Sequence, residues 1–358
     1  MNYSIRLRGY LSLLILLFLL GVGFGAFSET LRVCEIDCEY ESIGEAVRSA
    51  DSGDSIRVQN GNYEENLRVD KRITISGTNP RWVRIRPKRK DRPAIKVGPS
   101  SVSVKLSNLT VRRDENGGGD AITVTGRTNL EMEDVTVGGS SRGIRALDSS
   151  TLKLRSVEIR GAKEAVLAQD SSEIVAHEST ITGADSGLTV TNSAELTAIG
   201  TSILNCTGAG ILGTKTGEIN LLSSKVSDNE GAGIKMIDFS RLDMEESSVK
   251  SNGRGGVLLK DSAVVTLTEN EIAYNGAPNL GIISKECGFS GPVEGFFGEL
   301  NGTNNEIKPA DSGSICPPRF SRVTSSEGNG YSYPLKPSTY AFIGLVGAAS
   351  LVFFLSRF

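Results

Sequence analysis

Apolar and polar residues alternate over short runs along most of the chain, and between Asn129 and Ile272 one such run recurs seven times. The copies begin at Asn129, Thr151, Glu173, Glu195, Glu218, Arg241 and Val264, so their starts lie 22, 22, 22, 23, 23 and 23 residues apart. The second position holds Leu130, Leu152, Ile174, Leu196, Ile219, Leu242 and Val265, and the fourth holds Met132, Leu154, Ala176, Ala198, Leu221, Met244 and Leu267. Polar residues mostly separate the two, the period-two pattern of a strand with one buried face. The ninth position is β-branched throughout: Val137, Ile159, Ile181, Ile203, Val226, Val249 and Ile272. A further short strand opens with a small residue and an aliphatic one, from Gly143-Ile144 through Gly256-Val257 to Gly281-Ile282. Before each new copy stands Asp148, Asp170, Asn192, Lys215, Asp238 or Asp261, mostly residue types that bond their own backbone and tolerate tight bends.

A fixed period of this length means stacked units that bury their apolar positions against their neighbours. Three short strands per turn, in-register aliphatic columns and no helical periodicity predict an all-β fold, a single right-handed parallel β-helix. At roughly 4.8 Å per coil, about ten coils make a rod on the order of 45 Å long. The Leu-x-x-Leu-x-Leu…Asn pattern of a leucine-rich solenoid is absent. Ahead of the repeats, Ile43, Ala46 and Val47 sit at helical spacing within Ser42 to Ala50, which predicts an amphipathic helix capping the open end.

The stretch Ser42-Ile-Gly-Glu-Ala-Val-Arg-Ser-Ala-Asp-Ser-Gly-Asp-Ser-Ile-Arg-Val58, followed by Gly61-x-Tyr-x-Glu65 and Val69-Asp-Lys-Arg-Ile-Thr-Ile-Ser-Gly77, resembles the opening of the right-handed β-helix repeat family. That family has the pectin-lyase-like fold and includes carbohydrate-binding and sugar-hydrolase modules and a periplasmic copper-related protein of nitrous oxide reductase maturation. The resemblance covers about residues 34 to 283. It implies the fold, while the same opening precedes enzymes, binding proteins and surface proteins alike.

Both termini are hydrophobic. Arg6 and Arg8, then the apolar run Leu11 to Val22, then Gly23-Phe-Gly-Ala26 have the layout of a secretory signal, with an uncleaved anchor as the alternative. At the other end a Ser/Gly-rich stretch from Ser321 leads into an apolar run, Ala341 to Leu355, at the short edge of a membrane span. Pro334-Leu-Lys-Pro337 before that run resembles a bacterial sorting tail but lacks its Glu, so plain anchoring is the expectation. The expected organisation is a signal over 1–26, the β-helix over 27–285, a C-terminal cap over 286–320, a linker over 321–338 and an anchor or sorting tail over 339–358. The expected product is exported, monomeric and tethered at the cell surface or in the periplasm. Five cysteines fit that compartment: Cys34 with Cys38 and Cys287 with Cys316 flank the two ends of the stack, where disulfides would staple it, and Cys206 is left as a buried thiol. Spacing alone does not establish that connectivity.

The net charge of −3 gives no global case for nucleic acid. Locally, Arg81 to Arg92 holds seven basic residues in twelve together with the single Trp of the chain. Arg81, Arg84, Arg86, Lys88, Arg89 and Arg92 could grip carboxylates or phosphates and Trp82 could stack on a sugar, whereas the alternative is an edge strand with solvated charges. Asp114, Glu115 and Asp120 lie on a loop that lengthens one coil by four residues, the candidate place for a hydrolase or Ca²⁺ site if it is not simply a polar loop. On the outward positions of the first strand, Glu131 and Glu133 precede Lys153 and Arg155, with His177, the single His, one rung further. Cross-rung ion pairs are the expectation there, ahead of an acid/base constellation. Asn108, Asn205 and Asn301 lie in glycosylation sequons.

Three function classes remain: a surface-anchored structural or glycan-binding β-helix, a polysaccharide lyase or glycoside hydrolase, and a metal-handling accessory. By the resemblance, lyases of this fold need several Asp for Ca²⁺ and an Arg base, and the hydrolases need paired Asp, His and an Arg-x-Lys element; the sequence has no such set. Ala165 to Asp170 and Ile237-Asp-Phe239 are similar to pectin methylesterase fragments, but strand periodicity already accounts for Val166 and Ile237. Copper would require clustered His, Met or Cys, against one His and four Met. The reading is therefore the first class, with no cofactor or metal, leaning away from an enzyme, and with an anionic polysaccharide or cell-envelope glycan as the expected partner.

Overall fold

The computed structural model describes residues 28–99, 101–113, 118–139, 141–290, 296–309, 313–326 and 331–332. They form a right-handed parallel β-helix with three strands per rung. Glu195–Ile199 shows the register: it pairs in parallel with Glu173–His177 before it and Glu218–Leu222 after it, with Leu196 opposite Ile174 and Ile219. Ser202–Leu204 forms the second column and Ile211–Gly213 the third. All members of the second, fourth and ninth sequence positions are buried, as the alternation requires. The third column is an eleven-stranded sheet running from Leu67–Val69 to Ile315–Cys316, one coil more than the period suggests.

The corners follow from residue type. Asp148, Asp170, Asn192, Lys215, Asp238 and Asp261 all adopt left-handed backbone with φ between 56° and 62°. Such φ is costly for most side chains and least so for Asn and Asp. The carboxylates recover part of that cost by accepting a backbone N–H from the preceding rung: Gly126 N–H donates to Asp148 at 2.7 Å and Lys215 N–H to Asp238 at 2.9 Å.

The stack departs from the periodic reading at its far end. Val257 pairs with Leu280, so the small-plus-aliphatic step of that coil is Asn279-Leu280 and not Gly281-Ile282. The shift is fixed by Asn279, whose side-chain oxygen accepts both the backbone and side-chain N–H of Asn275, while its own amide donates to the Lys308 carbonyl. The repeat also resumes after its interruption, because Glu299–Thr303 and Glu306–Lys308 add a rung with Leu300 and Ile307 buried. Phe296 and Phe320 then meet edge to face at 5.9 Å inside a cap formed by the 3-10 turn Pro318–Thr324. At the start of the chain the helix Ile43–Ser49 packs Ile43, Ala46 and Val47 on the first strands, and its free N–H groups at Ile43 and Gly44 donate to the Glu65 carboxylate at 2.8 and 2.7 Å. Disulfides join Cys34 to Cys38 and Cys287 to Cys316, and Cys206 is a buried thiol whose pKa burial pushes up.

The interior is not uniformly apolar. Ser179, Thr201, Ser224, Ser247, Asn270 and Asn305 are buried and stacked behind the first corner, each accepting the backbone N–H of the residue one rung earlier at 2.9–3.4 Å. Behind the second corner runs a parallel ladder of Asn229, Asn252 and Asn275, which begins where Cys206 N–H donates to Asn229. Buried polar groups are tolerated only when paired, and here the pairing is with the neighbouring rung, so the ladders enforce register as well as filling space.

Asn252 accepts from both nitrogens of Asn229 and donates to the Val226 carbonyl at 3.1 Å. Asn252→Leu should therefore destabilise the chain by about 3 kcal/mol through stranded buried donors and acceptors, whereas Thr266→Val on the outer face should cost less than about 0.5 kcal/mol. Urea unfolding midpoints of the two variants check this, and equal midpoints would refute the ladder's role.

Candidate functional site: a basic groove across the rungs

Register brings together cations that are far apart in the sequence. Val83–Arg86 enters the second column with Val83 and Ile85 buried, which turns Arg84 and Arg86 outward. Arg84 then lies opposite Thr110, Thr110 opposite Thr136, and Thr136 opposite Glu158. In the neighbouring column Arg112 lies opposite Gly138, and Gly138 opposite Arg160. Since Gly138 has no side chain, the surface opens between Arg112 and Arg160, two rungs or about 10 Å apart.

The result is a groove of about 600 Å³ walled by Arg81, Arg84, Arg112 and Arg160, with Pro80, Thr110, Thr136 and Glu158 between them and glycines 138, 139 and 161 at its floor. Thr110 Oγ1 donates to the Pro80 carbonyl at 2.6 Å and ties the turn carrying Arg81 to the next rung. Glu158 pairs with Arg160, while among the described residues Arg81, Arg84 and Arg112 have no carboxylate partner. Four guanidinium groups thus face one carboxylate, and guanidinium forks bind carboxylate, sulfate or phosphate oxygens in pairs.

The basic turn beyond Arg86 is held from two sides. Asn66 accepts from Arg89 N–H at 2.7 Å and donates to the Arg89 and Pro93 carbonyls at 3.1 and 2.9 Å. Arg113, 2% exposed, donates to the carbonyls of Arg92 and Lys90, each at 2.5 Å, and of Asp120 at 3.1 Å. This buried cation acts structurally, by clamping the turn. Arg89 is turned to Asp91 at 2.9 Å, Arg92 is exposed, and Trp82 is 54% exposed but forms no part of the groove wall.

The sequence-based candidates therefore divide. Arg81 and Arg84 line the groove, Arg86 and Lys88 line a smaller adjoining pocket, and Arg112 and Arg160 were missed because no local cluster contains them. The signal that finds them is column position: Arg86, Arg112 and Arg160 share one column once the 26-residue steps from Arg86 to Arg112 and from Arg112 to Gly138 are allowed for. Asp120 is buried, and its carboxylate accepts from Arg142 Nε at 2.6 Å and Thr123 Oγ1 at 2.8 Å. It is bound up in the third column rather than poised as a base. Asp114 and Glu115 lie outside the described residues, as do the segments expected as a signal, 1–26, and as an anchor or sorting tail, 339–358.

On the first column Glu131 and Glu133 pair with Lys105 on the preceding rung, at 3.1 and 2.6 Å, and not with Lys153 and Arg155. One lysine opposite Glu131 reaches both carboxylates, and it holds the Glu133 carboxyl below its usual range. His177 lies two rungs, about 10 Å, from those acids, and its Nδ1 is 3.9 Å from Glu178, beyond hydrogen-bond reach. Among the described residues no group of three His, Cys, Asp or Glu side chains could hold a metal ion, and no helix is long and apolar enough to cross a membrane.

A model of the family described as "Right handed beta helix region" matches residues 142–290. No curated protein matches the chain. Among solved structures, ORF18 of Geobacillus virus E2 is 11% identical with a TM-score of 0.52, over 72% of this chain and 56% of that one. The Dettilon tailspike protein gp208 is 10% identical with a TM-score of 0.52, over 74% of this chain and 57% of its own. Carrot pectin methylesterase is 12% identical with a TM-score of 0.44, covering 66% of this chain and 83% of that one. The chain thus spans little more than half the length of the first two, and with them it shares the fold. Of the groove, only Glu158, Arg160 and Gly161 fall in the stretch matched by the family model.

Beyond the groove the same stacking creates the opposite charge. Glu173, Glu195 and Glu218 occupy one column on successive rungs. Partial burial first, and then repulsion from Glu173 and Glu218, raise the Glu195 pKa. A raised carboxyl pKa means stability present below the unfolded-state value and lost as pH rises through the folded-state value. Glu195→Gln should consequently raise the melting temperature at neutral pH and make no difference below about pH 4. Melting curves at the two pH values test it; a variant less stable than the parent at neutral pH would contradict the repulsion.

Proposed function

We propose that this β-helix binds an anionic glycan along the second-column groove and serves as a surface-displayed binding module rather than as a catalyst. The observation that supports it is the convergence of Arg81, Arg84, Arg112 and Arg160 from three rungs on one open groove whose sole carboxylate among the described residues is Glu158. An extended groove on a rigid rod suits a polymer, because successive rungs offer donors at a repeat of about 4.8 Å. The rod also needs no rearrangement on binding, which limits the entropy cost. A catalytic reading lacks a free acid in the groove, since Glu158 is paired with Arg160 and Asp120 with Arg142.

Display at the cell surface or in the periplasm rests on the terminal segments. The charged, apolar and small-residue order of residues 1–26 suits export, and the apolar run at residues 341–355 suits membrane tethering.

The test is binding of the full chain to immobilised polygalacturonate and to a neutral glucan, with ultraviolet absorbance recorded for unsaturated product. The expected result is salt-sensitive binding to polygalacturonate alone, weakened about tenfold or more in Arg84→Ser and in Arg112→Ser. Equal binding of the neutral polymer, or release of unsaturated product, would overturn the proposal.

A further inference from the structure

Beside the groove, and sharing Arg112 with it, lies a pocket of about 160 Å³ lined by Glu64, Arg86, Pro87, Lys88, Lys90, Arg112 and Arg113. We infer that this pocket takes one compact tetrahedral oxyanion, a sulfate or phosphate group, and that it selects polymers carrying such esters over plain uronates. The inference deepens the glycan-binding reading above and, in its second half, rests on it.

Arg86 Nε is buried and has no hydrogen-bond partner. A buried donor without an acceptor is unfavourable, so an incoming oxygen at this place gains a bond that the empty pocket lacks. Arg86 faces Arg112 on the next rung, since Ile85 lies opposite Val111. Like charges on adjacent rungs repel, and among the described residues neither guanidinium has a carboxylate partner within ion-pair distance. Among the described residues that line the pocket, Glu64, on the rung before Arg86, supplies the single carboxylate against Arg86, Lys88 and Arg112. The pocket therefore keeps an excess of positive charge that a divalent oxyanion would neutralise.

Shape and number of acceptors decide the class. One guanidinium fork saturates a planar carboxylate, whereas donors arriving from three directions, Arg86, Arg112 and Lys88, match the spread of oxygens on a tetrahedral group. The volume equals about five waters, room for one such group and not for a polymer chain. The turn is also fixed in advance, through the Asn66 and Arg113 hydrogen bonds to its carbonyls, so the donors lose little freedom on binding.

The experiment measures thermal shifts of the full chain with inorganic sulfate, inorganic phosphate and acetate at matched ionic strength, then affinities for glucose 6-sulfate and galacturonic acid. Sulfate and phosphate should raise the melting temperature where acetate does not, and glucose 6-sulfate should bind about tenfold tighter than galacturonic acid. Arg86→Gln should abolish both preferences. Lys88→Gln, at an exposed side chain whose loss leaves the fold alone, should weaken them several-fold, and Arg84→Ser on the groove should leave the sulfate response unchanged. Acetate acting as well as sulfate, or an intact response in both pocket variants, would overturn the inference. A response to the free ions with no preference for the sulfated sugar would assign the pocket to a free anion and overturn its part in glycan selection. Failure of the unsubstituted chain to bind polygalacturonate, with its sulfate response present, would sink the polymer reading while supporting the pocket.

Discussion

Every feature of this chain depends on parallel, in-register hydrogen bonding between one rung and the next. The strands donate to and accept from the coils on either side, so a residue's nearest neighbours on the surface are those one coil away, 22 or 23 positions through the repeats and between 19 and 35 elsewhere. A side chain is therefore stacked on whatever the same column carries one rung before and after. Inside, this turns an aliphatic repeat into continuous apolar columns, and it turns single Ser, Thr and Asn residues into ladders that satisfy backbone donors across rungs. Because a slip by one residue would strand those donors and turn apolar side chains outward, the polar ladders and the apolar columns specify the same register.

Outside, the same constraint concentrates charge. Arginines that are unremarkable singly, Arg112 and Arg160, become one wall of a groove because Gly138 stands between them. Three glutamates on successive rungs become a strip in which Glu195 is harder to ionise. Lys105 satisfies two carboxylates because it faces one and the next lies a strand step away. A chain with a net charge of −3 thus carries separate basic and acidic faces, and its overall charge says little about what it binds.

Most of the fold was legible in the sequence, since the second, fourth and ninth positions and the corner Asp residues are local or strictly periodic signals, whereas the two disulfides were expected from their places at the ends of the stack and not from spacing. What escaped was whatever broke the period. A 26-residue coil hid the alignment of Arg86 with Arg112, the insertion before Asp120 hid that of Arg112 with Arg160, and the interruption after Cys287 hid the rung containing Leu300 and Ile307. Asn279 shifted the coil before the interruption by two residues for a reason visible only in its contacts with Asn275 and Lys308. For the site, the cluster Arg81 to Arg92 pointed to the right region, but half of the groove's guanidinium groups come from rungs further on. Asp120 drew attention as an acid on a lengthened loop, and its burial against Arg142 could not be read without the third column.

The central claim is that register assembles the groove, and a metal-bridge measurement on the groove itself tests it most directly. Thr136 and Glu158 face each other on adjacent rungs, whereas Thr110 and Glu158 are two rungs apart. Histidines at 136 and 158 (T136H with E158H) should share a Ni²⁺ ion and raise stability by about 1–2 kcal/mol at saturating metal. The pair T110H with E158H, about 10 Å apart, should show no such gain. Stabilisation of the second pair, or indifference of the first, would mean that the rungs are not stacked in this register and that Arg84, Arg112 and Arg160 do not form one groove.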